Sequence, residues 1–286
     1  MNDSSVHDVS AGGPGRGPGP GEAVLEVRDV TVRFGGLTAL DTVSLVVPPG
    51  HVVGVIGPNG AGKTTLLNVL CGFIRPDHGE VRIGGSPQRD IRPHQLAALG
   101  VARTLQGVGL FSGLTALENV MVGATRQAGA GFWSSLLSLP GAGRDERKLT
   151  GLGREALDRV GAGACAGARP GELSYGMRKR IALARALAGR PRVLLLDEPA
   201  SGLDETELAE LGQLIRDLAT DRDMATSLVV VEHHMDLMMS VCDTITVLDF
   251  GRVIATGTPQ QVKDDPAVTA AYLGTDGQGA EGAKNE

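Results

Sequence analysis

The sequence predicts an α/β fold with a mostly parallel core sheet, an antiparallel β layer and an inserted helical subdomain. Three observations predict it. Residues 173–198, LSYGMRKRIALARALAGRPRVLLLDE, join a Ser-Gly turn, a helix, a strand and two acids. Residues 51–73 place an apolar strand, a glycine-rich loop and an amphipathic helix in immediate succession. Between the two, residues 107–172 read as helical material interrupting the sheet.

A chain of 286 residues, 42% of them hydrophobic, can bury a sizeable core in one domain with an inserted lobe. A net charge of −6 and only 3% aromatic residues argue against a general nucleic-acid binder, which needs cationic surface and stacking platforms. Cys71, Cys165 and Cys242 are odd in number and lack CxxC or histidine spacing, so they read as small buried hydrophobes of a reducing compartment. No run approaches the roughly 18 apolar residues that span a bilayer, and MNDSSVHDVS has neither a basic n-region nor an apolar core. A cytoplasmic chain is expected, with any membrane role supplied by a partner. Residues 1–22, which contain AGGPGRGPGPG, and residues 275–286 are expected to be disordered tails around one ordered domain, 23–274.

Along that domain, Leu25, Val27, Val30 and Val32 suggest edge strands of an antiparallel layer over Val24 to Phe34. Phe34 reads either as core filler or as an exposed stacking wall, and periodicity does not choose. The next strand, His51 to Ile56, runs into Gly57-Pro58-Asn59-Gly60-Ala61-Gly62-Lys63-Thr64, followed by Thr65. This fits the phosphate-loop pattern G-x-x-x-x-G-K-[ST] without a gap. Leu66, Val69, Leu70 and Phe73 then recur at helical spacing. The glycines let backbone N–H groups turn inward around an anion, and the helix N-terminus adds partial positive charge. Lys63 is placed to reach terminal phosphates and Thr64 to ligate magnesium.

Val81 and Ile83 mark a short strand, and a helix is expected around His94 to Leu99. Val101 to Gln106 is strand-like and ends at Gln106, a hinge-like position before Gly107 and Gly109. Thr115 to Gly123 reads as a helix. Phe132, Trp133, Leu136 and Leu137 suggest a small amphipathic helix, which either packs within the helical lobe or docks a partner, and Arg144 to Lys148 is a charged piece.

In the opening stretch, Met177, Ile181, Ala184, Leu187 and Ala188 form a helix face stopped by Gly189 and Pro191. Val193 to Leu196 is a strand buried on both faces, so Asp197 and Glu198 emerge at its carboxyl end, the edge where open α/β sheets bind ligands. Adjacent carboxylates there require a cation, a proton or a substrate. Ser201-Gly202-Leu203-Asp204 is a tight turn, and Asp204 with Glu207 resembles a capping box for a helix carrying Leu208, Leu211, Ile215 and Leu218. Ser227 to Val231 is another buried strand, with Glu232-His233-His234 at its carboxyl end.

Taken in order, these motifs resemble those of an ABC transporter nucleotide-binding subunit, and the chain is similar to the ATP-binding subunits of bacterial branched-chain amino-acid importers from Val24 to Gly274. The matching pieces are the Walker A loop at Gly57 to Thr64, the Q-loop at Gln106, the signature at Leu173 to Met177, the Walker B strand ending in Asp197-Glu198, the turn Ser201 to Asp204, and the switch segment Glu232-His233. Softer subfamily features are Arg33 to Leu37, Arg103 to Gln106, the insertion near Phe132 and Ala271-Tyr272-Leu273-Gly274. The signature departs from the commonest version at Tyr175 and Met177, and His234 stands where the subgroup often has aspartate.

The resemblance implies a P-loop NTPase of the ABC ATPase fold using ATP and Mg2+. Phe34 would stack on adenine, residues 57–65 would hold phosphates, and Thr64, Gln106 and Asp197 would serve the metal. Glu198 would act on the attacking water, while Gln106 and His233 would sense the γ-phosphate. Ser174 and Gly176 would bind nucleotide in trans in a dimer of such subunits, with Asp204 crossing the interface. Implied partners are membrane permease subunits, a second ATP-binding subunit and, indirectly, an extracytoplasmic solute-binding protein, with no nucleic acid. The alternatives are an exporter or lipopolysaccharide-type extraction ATPase, or a soluble ABC ATPase. The latter usually carries two nucleotide domains or coiled-coil insertions, which this sequence lacks.

Overall fold

The computed structural model describes residues 23–104, 107–127, 142–221 and 223–276. The expected tails, Gln106 and the cluster from Phe132 to Leu137 lie outside them. Strands β1 (Leu25–Phe34), β2 (Leu37–Val47), β4 (His78–Ile83) and β5 (Ser86–Gln88) form an antiparallel sheet in the order β2-β1-β4-β5. Contrary to the edge placement expected, β1 is an interior strand paired on both sides. Its four apolar residues do not keep one parity, because a bulge shifts the register between Val27 and Val30. Asp29 sits there at φ 47, and its N–H donates to Ser44 Oγ at 2.9 Å. The extra residue lets Leu25, Val27, Val30 and Val32 all face inward.

The second sheet contains β3 (Val52–Ile56), β6 (Val101–Arg103), β7 (Val193–Asp197), β8 (Ser227–Val231), β9 (Thr244–Asp249) and β10 (Arg252–Gly257), in the order β10-β9-β3-β8-β7-β6. Its strands are parallel except β10, which returns antiparallel to β9. Every residue of β3, β7 and β8 is buried, as continuous apolar runs require when both faces are covered. On one face Val53, Val55, Leu195 and Val229 pack with the antiparallel sheet and helix α1 (Lys63–Leu70). On the other, Ile56, Leu194, Leu196 and Val230 pack beneath the remaining helices. Each such side chain contributes about 1.5–3 kcal/mol on burial.

Between β6 and β7 the chain leaves the sheet for α2 (Ala116–Ala124), α3 (Ala142–Arg159) and α4 (Tyr175–Ala188), which pack on one another. Helices α5 (Glu205–Thr220), α6 (Met235–Val241), α7 (Pro259–Lys263) and α8 (Pro266–Asp276) follow.

Two expected helices are shorter than their periodicity. α1 ends at Leu70 in a Schellman turn, with Phe73 N–H donating to Asn68 O and Gly72 N–H to Val69 O. Phe73 therefore leaves the apolar face and is exposed. The expected helix at His94 to Leu99 is a single 3-10 turn, Pro93–Gln95, followed by tight turns up to Gly100. Leu96 N–H donates to Pro93 O, Ala98 N–H to Gln95 O and Gly100 N–H to Ala97 O, so the stretch winds as three-residue turns instead of an α-helix.

Candidate active site

Three motifs meet at one sheet edge because their strands are parallel and in register. Val55 of β3 and Asp197 of β7 both pair with Val231 of β8. The glycine loop after β3, Asp197-Glu198 after β7 and Glu232-His233 after β8 therefore leave the sheet at the same level, on strands about 4.8 Å apart.

The loop wraps the start of α1. A Cβ at Gly57 (φ 150) would lie 2.1 Å from Leu248 O, and one at Gly62 (φ 101) would lie 2.6 Å from Ala39 O. Only glycine fits against β9 at the first point and between β2 and the β9–β10 turn at the second. Gly251 N–H donates to Ala61 O at 3.0 Å and completes the support. Pro58 and Ala61 are buried, Asn59, Gly60 and Thr64 exposed, and Thr65 half-buried.

Lys63 is buried, and its ammonium donates to Gly57 O at 2.6 Å and Pro58 O at 2.9 Å. Burial lowers its pKa below the ordinary lysine value, opposed by the charge of Glu198. A buried cation at a helix N-terminus, inside a cradle that a single Cβ would fill, suits an anion. The hollow beside it is walled by Phe34, Leu37 and Phe250, which are 51%, 67% and 85% exposed, and by residues 59–65 with Glu198. Phe34 is therefore not core filler.

Asp197 is buried at the end of β7, and its Oδ2 accepts from Arg103 Nη2 at 2.7 Å. The same guanidinium donates to Asn68 Oδ1 of α1 at 2.9 Å. With side chains only 13% and 4% exposed, this is a buried ion pair in which each charge needs the other. Arg103 was legible in the sequence only as a subfamily marker. Glu198 follows at φ 45, held by its N–H donating to Val231 O at 2.9 Å. The oxygen donors Thr64 and Asp197 suit a hard divalent cation such as magnesium.

Glu232 is fully buried and accepts from Ala200 N–H at 2.6 Å and His233 N–H at 2.9 Å, clamping the β7 and β8 loops together. His233 and His234 are exposed, their rings 4.7 Å apart. His233 Nδ1 lies 3.5 Å from Glu232 Oε2. The backbone after β8 thus aims both imidazoles out of the sheet edge.

The signature residues do not join this hollow. Ser174 caps α4, its Oγ accepting from Met177 N–H at 3.2 Å. Gly176 is pressed against Glu207, where a Cβ would lie 2.1 Å from Oε1. Asp204 and Glu207 form the expected capping box, with Glu207 N–H donating to Asp204 Oδ1 at 2.8 Å and Asp204 N–H to Glu207 Oε2 at 3.3 Å. Ser174, Gly176 and Asp204 are not among the residues that line the hollow beside the phosphate loop. Phe250 was missed from the sequence, since nothing local ties the β9–β10 turn to the loop.

A family model described as ABC transporter matches residues 40–201. A second, described as branched-chain amino acid ATP-binding cassette transporter, matches residues 252–278. The high-affinity branched-chain amino acid transport ATP-binding protein BraF of Pseudomonas aeruginosa is 41% identical over 251 residues, covering 88% of this chain and 98% of that protein. LivG of Escherichia coli K12, a protein of the same description, is 38% identical over 253 residues with the same coverage. Among solved structures, the ADP conformation of an ATP-binding cassette of an ABC transporter superposes with a TM-score of 0.74 at 28% identity, covering 88% of this chain and 99% of that one.

Proposed function

The chain belongs to the ABC transporter ATP-binding family, and from that premise we propose that it is the ATP-hydrolysing subunit of an importer for branched-chain or related amino acids, working at the cytoplasmic face of the cell membrane. The observation that carries this reading is the shared level of the phosphate loop, Asp197-Glu198 and Glu232-His233 at one sheet edge. The cargo assignment is supported by the C-terminal family match and by the names of the relatives.

In this reading the triphosphate of ATP replaces the loop carbonyls as partner of the Lys63 ammonium, and backbone N–H groups of residues 59–65 cradle it. Adenine stacks on Phe34. Thr64, Asp197 and Gln106 would hold magnesium, which when bound neutralises charge on the phosphate oxygens. Glu198 accepts a proton from, or orients, the attacking water. His233 contacts the γ-phosphate, and Gln106 reports its presence to the helical lobe.

Ser174 and Gly176 have no phosphate in their own subunit. They serve the nucleotide of an opposing ATP-binding subunit, a second copy or a related chain, and Asp204 crosses that interface. ATP binds the closed dimer better than the open one, and this differential affinity pulls on a pair of membrane permeases. An extracytoplasmic solute-binding protein delivers the cargo.

To test this, the tagged chain is purified from gently solubilised native membranes and its companions are identified by mass spectrometry. Two polytopic permeases are the expected companions, with a second ATPase where the dimer is heteromeric. Ribosomal or DNA-repair partners without any membrane protein would overturn the importer reading.

A further inference from the structure

Lys179 is absent from the motifs above, yet its ammonium is fixed on the turn that carries Glu198. It donates to Pro199 O at 2.8 Å, to Ser201 O, and to Glu198 O at 3.5 Å. An ammonium has three donors and no acceptor, so all three are directed at one turn. That turn needs support, because Glu198 sits at φ 45, a conformation that costs a non-glycine residue about 1–3 kcal/mol.

The other end of the lysine belongs to α4, one helical turn after the signature. Its ammonium lies 5.3 Å from the ring centroid of Tyr175, its neighbour at i−4 on the same helix face. Tyr175 in turn packs on the turn, since a Cβ at Gly202 would meet its ring at 3.0 Å. Tyr175 and Lys179 therefore clasp residues 198–202 from a single face of α4. Burial lowers the ammonium's pKa, while the carboxylates of Glu232, Glu198 and Glu207 hold it up. Tyr175, a departure from the commonest signature, is thereby given a partner.

We propose that Lys179 is a positioning residue that couples the signature helix to the backbone of Glu198, so that docking of Ser174 and Gly176 on an opposing subunit's ATP sets the competence of this subunit's own base. The proposal rests on the dimer reading above. Lys179 does not touch the reacting atoms; it acts through the Glu198 turn.

The test is steady-state ATP hydrolysis by the purified full-length chain as wild type, Lys179→Met and Lys179→Arg, with urea unfolding as the folding control. A misplaced base predicts a kcat loss on the order of 10²-fold in Lys179→Met, with KM for ATP within about threefold and the Hill coefficient reduced to about 1. Lys179→Arg restores part of kcat, because its charge returns but its planar fork does not converge on three carbonyls. Wild-type kcat in Lys179→Met, or a loss matched by KM and by reduced stability, overturns the proposal. The dimer reading is judged separately, by whether Glu198→Gln with Lys179 intact dimerises in ATP, with itself or with the copurified second ATPase. Absence of both dimers overturns the dimer reading and, with it, the coupling.

Discussion

At the scale of single residues, the site is a set of buried charges that need specific partners. Lys63, Asp197 and Glu198 were legible because motif spacing and strand ends announce them. Arg103 was not, since its partner Asp197 lies 94 positions away and is brought near by the β6–β7 pairing alone. A second buried titratable group, Cys242, gives a measurable pH dependence. Burial, with the nearby charge of Asp243, pushes its thiol up to about 12, against about 8.5 in an unfolded chain. The folded protein keeps a proton that the unfolded chain releases. This contribution is complete below about pH 8.5 and is lost as pH rises toward 12, at up to about 1.4 kcal/mol per unit. Urea unfolding at about pH 7.5 and about pH 10 should show the advantage of wild type over Cys242→Ala shrinking by about 2 kcal/mol. A difference independent of pH would contradict the burial argument.

At the scale of elements, caps and continuous apolar runs carried most of what could be read. Asp204 and Glu207 box the start of α5 as read, the matching box of Thr115 and Glu118 on α2 was not picked out, and the buried strands β3, β7 and β8 follow from their composition. The place of β1 within its sheet was not readable, because edge or interior depends on which strands arrive later in the chain. The single turn at Pro93–Gln95 was misread for a different reason: apolar spacing suggested a helix, and spacing does not reveal that the N–H groups of Leu96, Ala98 and Gly100 bond three residues back instead of four. Asp204 separates two roles at this scale. Removing its cap in Asp204→Ala should cost about 0.5–2 kcal/mol by urea unfolding. If Asp204 also acts across a subunit interface, hydrolysis falls several-fold at temperatures where the variant remains folded. Unchanged hydrolysis with that stability loss would leave it a cap alone.

At the scale of the whole molecule, the parallel sheet carries the phosphate loop and Asp197-Glu198 at one edge, and the helical material is inserted between β6 and β7. Composition and motif order were enough to predict this plan. The hollow under Phe34, Leu37 and Phe250 was not foreseen, since it forms only where the β1–β2 and β9–β10 turns converge on the glycine loop. Signature residues outside the lining of their own chain's phosphate hollow are what the proposed function asks of one half of a dimer. The most direct measurement is leucine uptake by proteoliposomes that contain the chain with its copurified permeases and solute-binding protein, supplied with ATP on the cytoplasmic side. Wild type should drive uptake coupled to hydrolysis, and Glu198→Gln should keep ATP binding while losing both by on the order of 10²-fold or more. Uptake that survives Glu198→Gln, or steady hydrolysis without uptake of any branched-chain amino acid, would contradict the account.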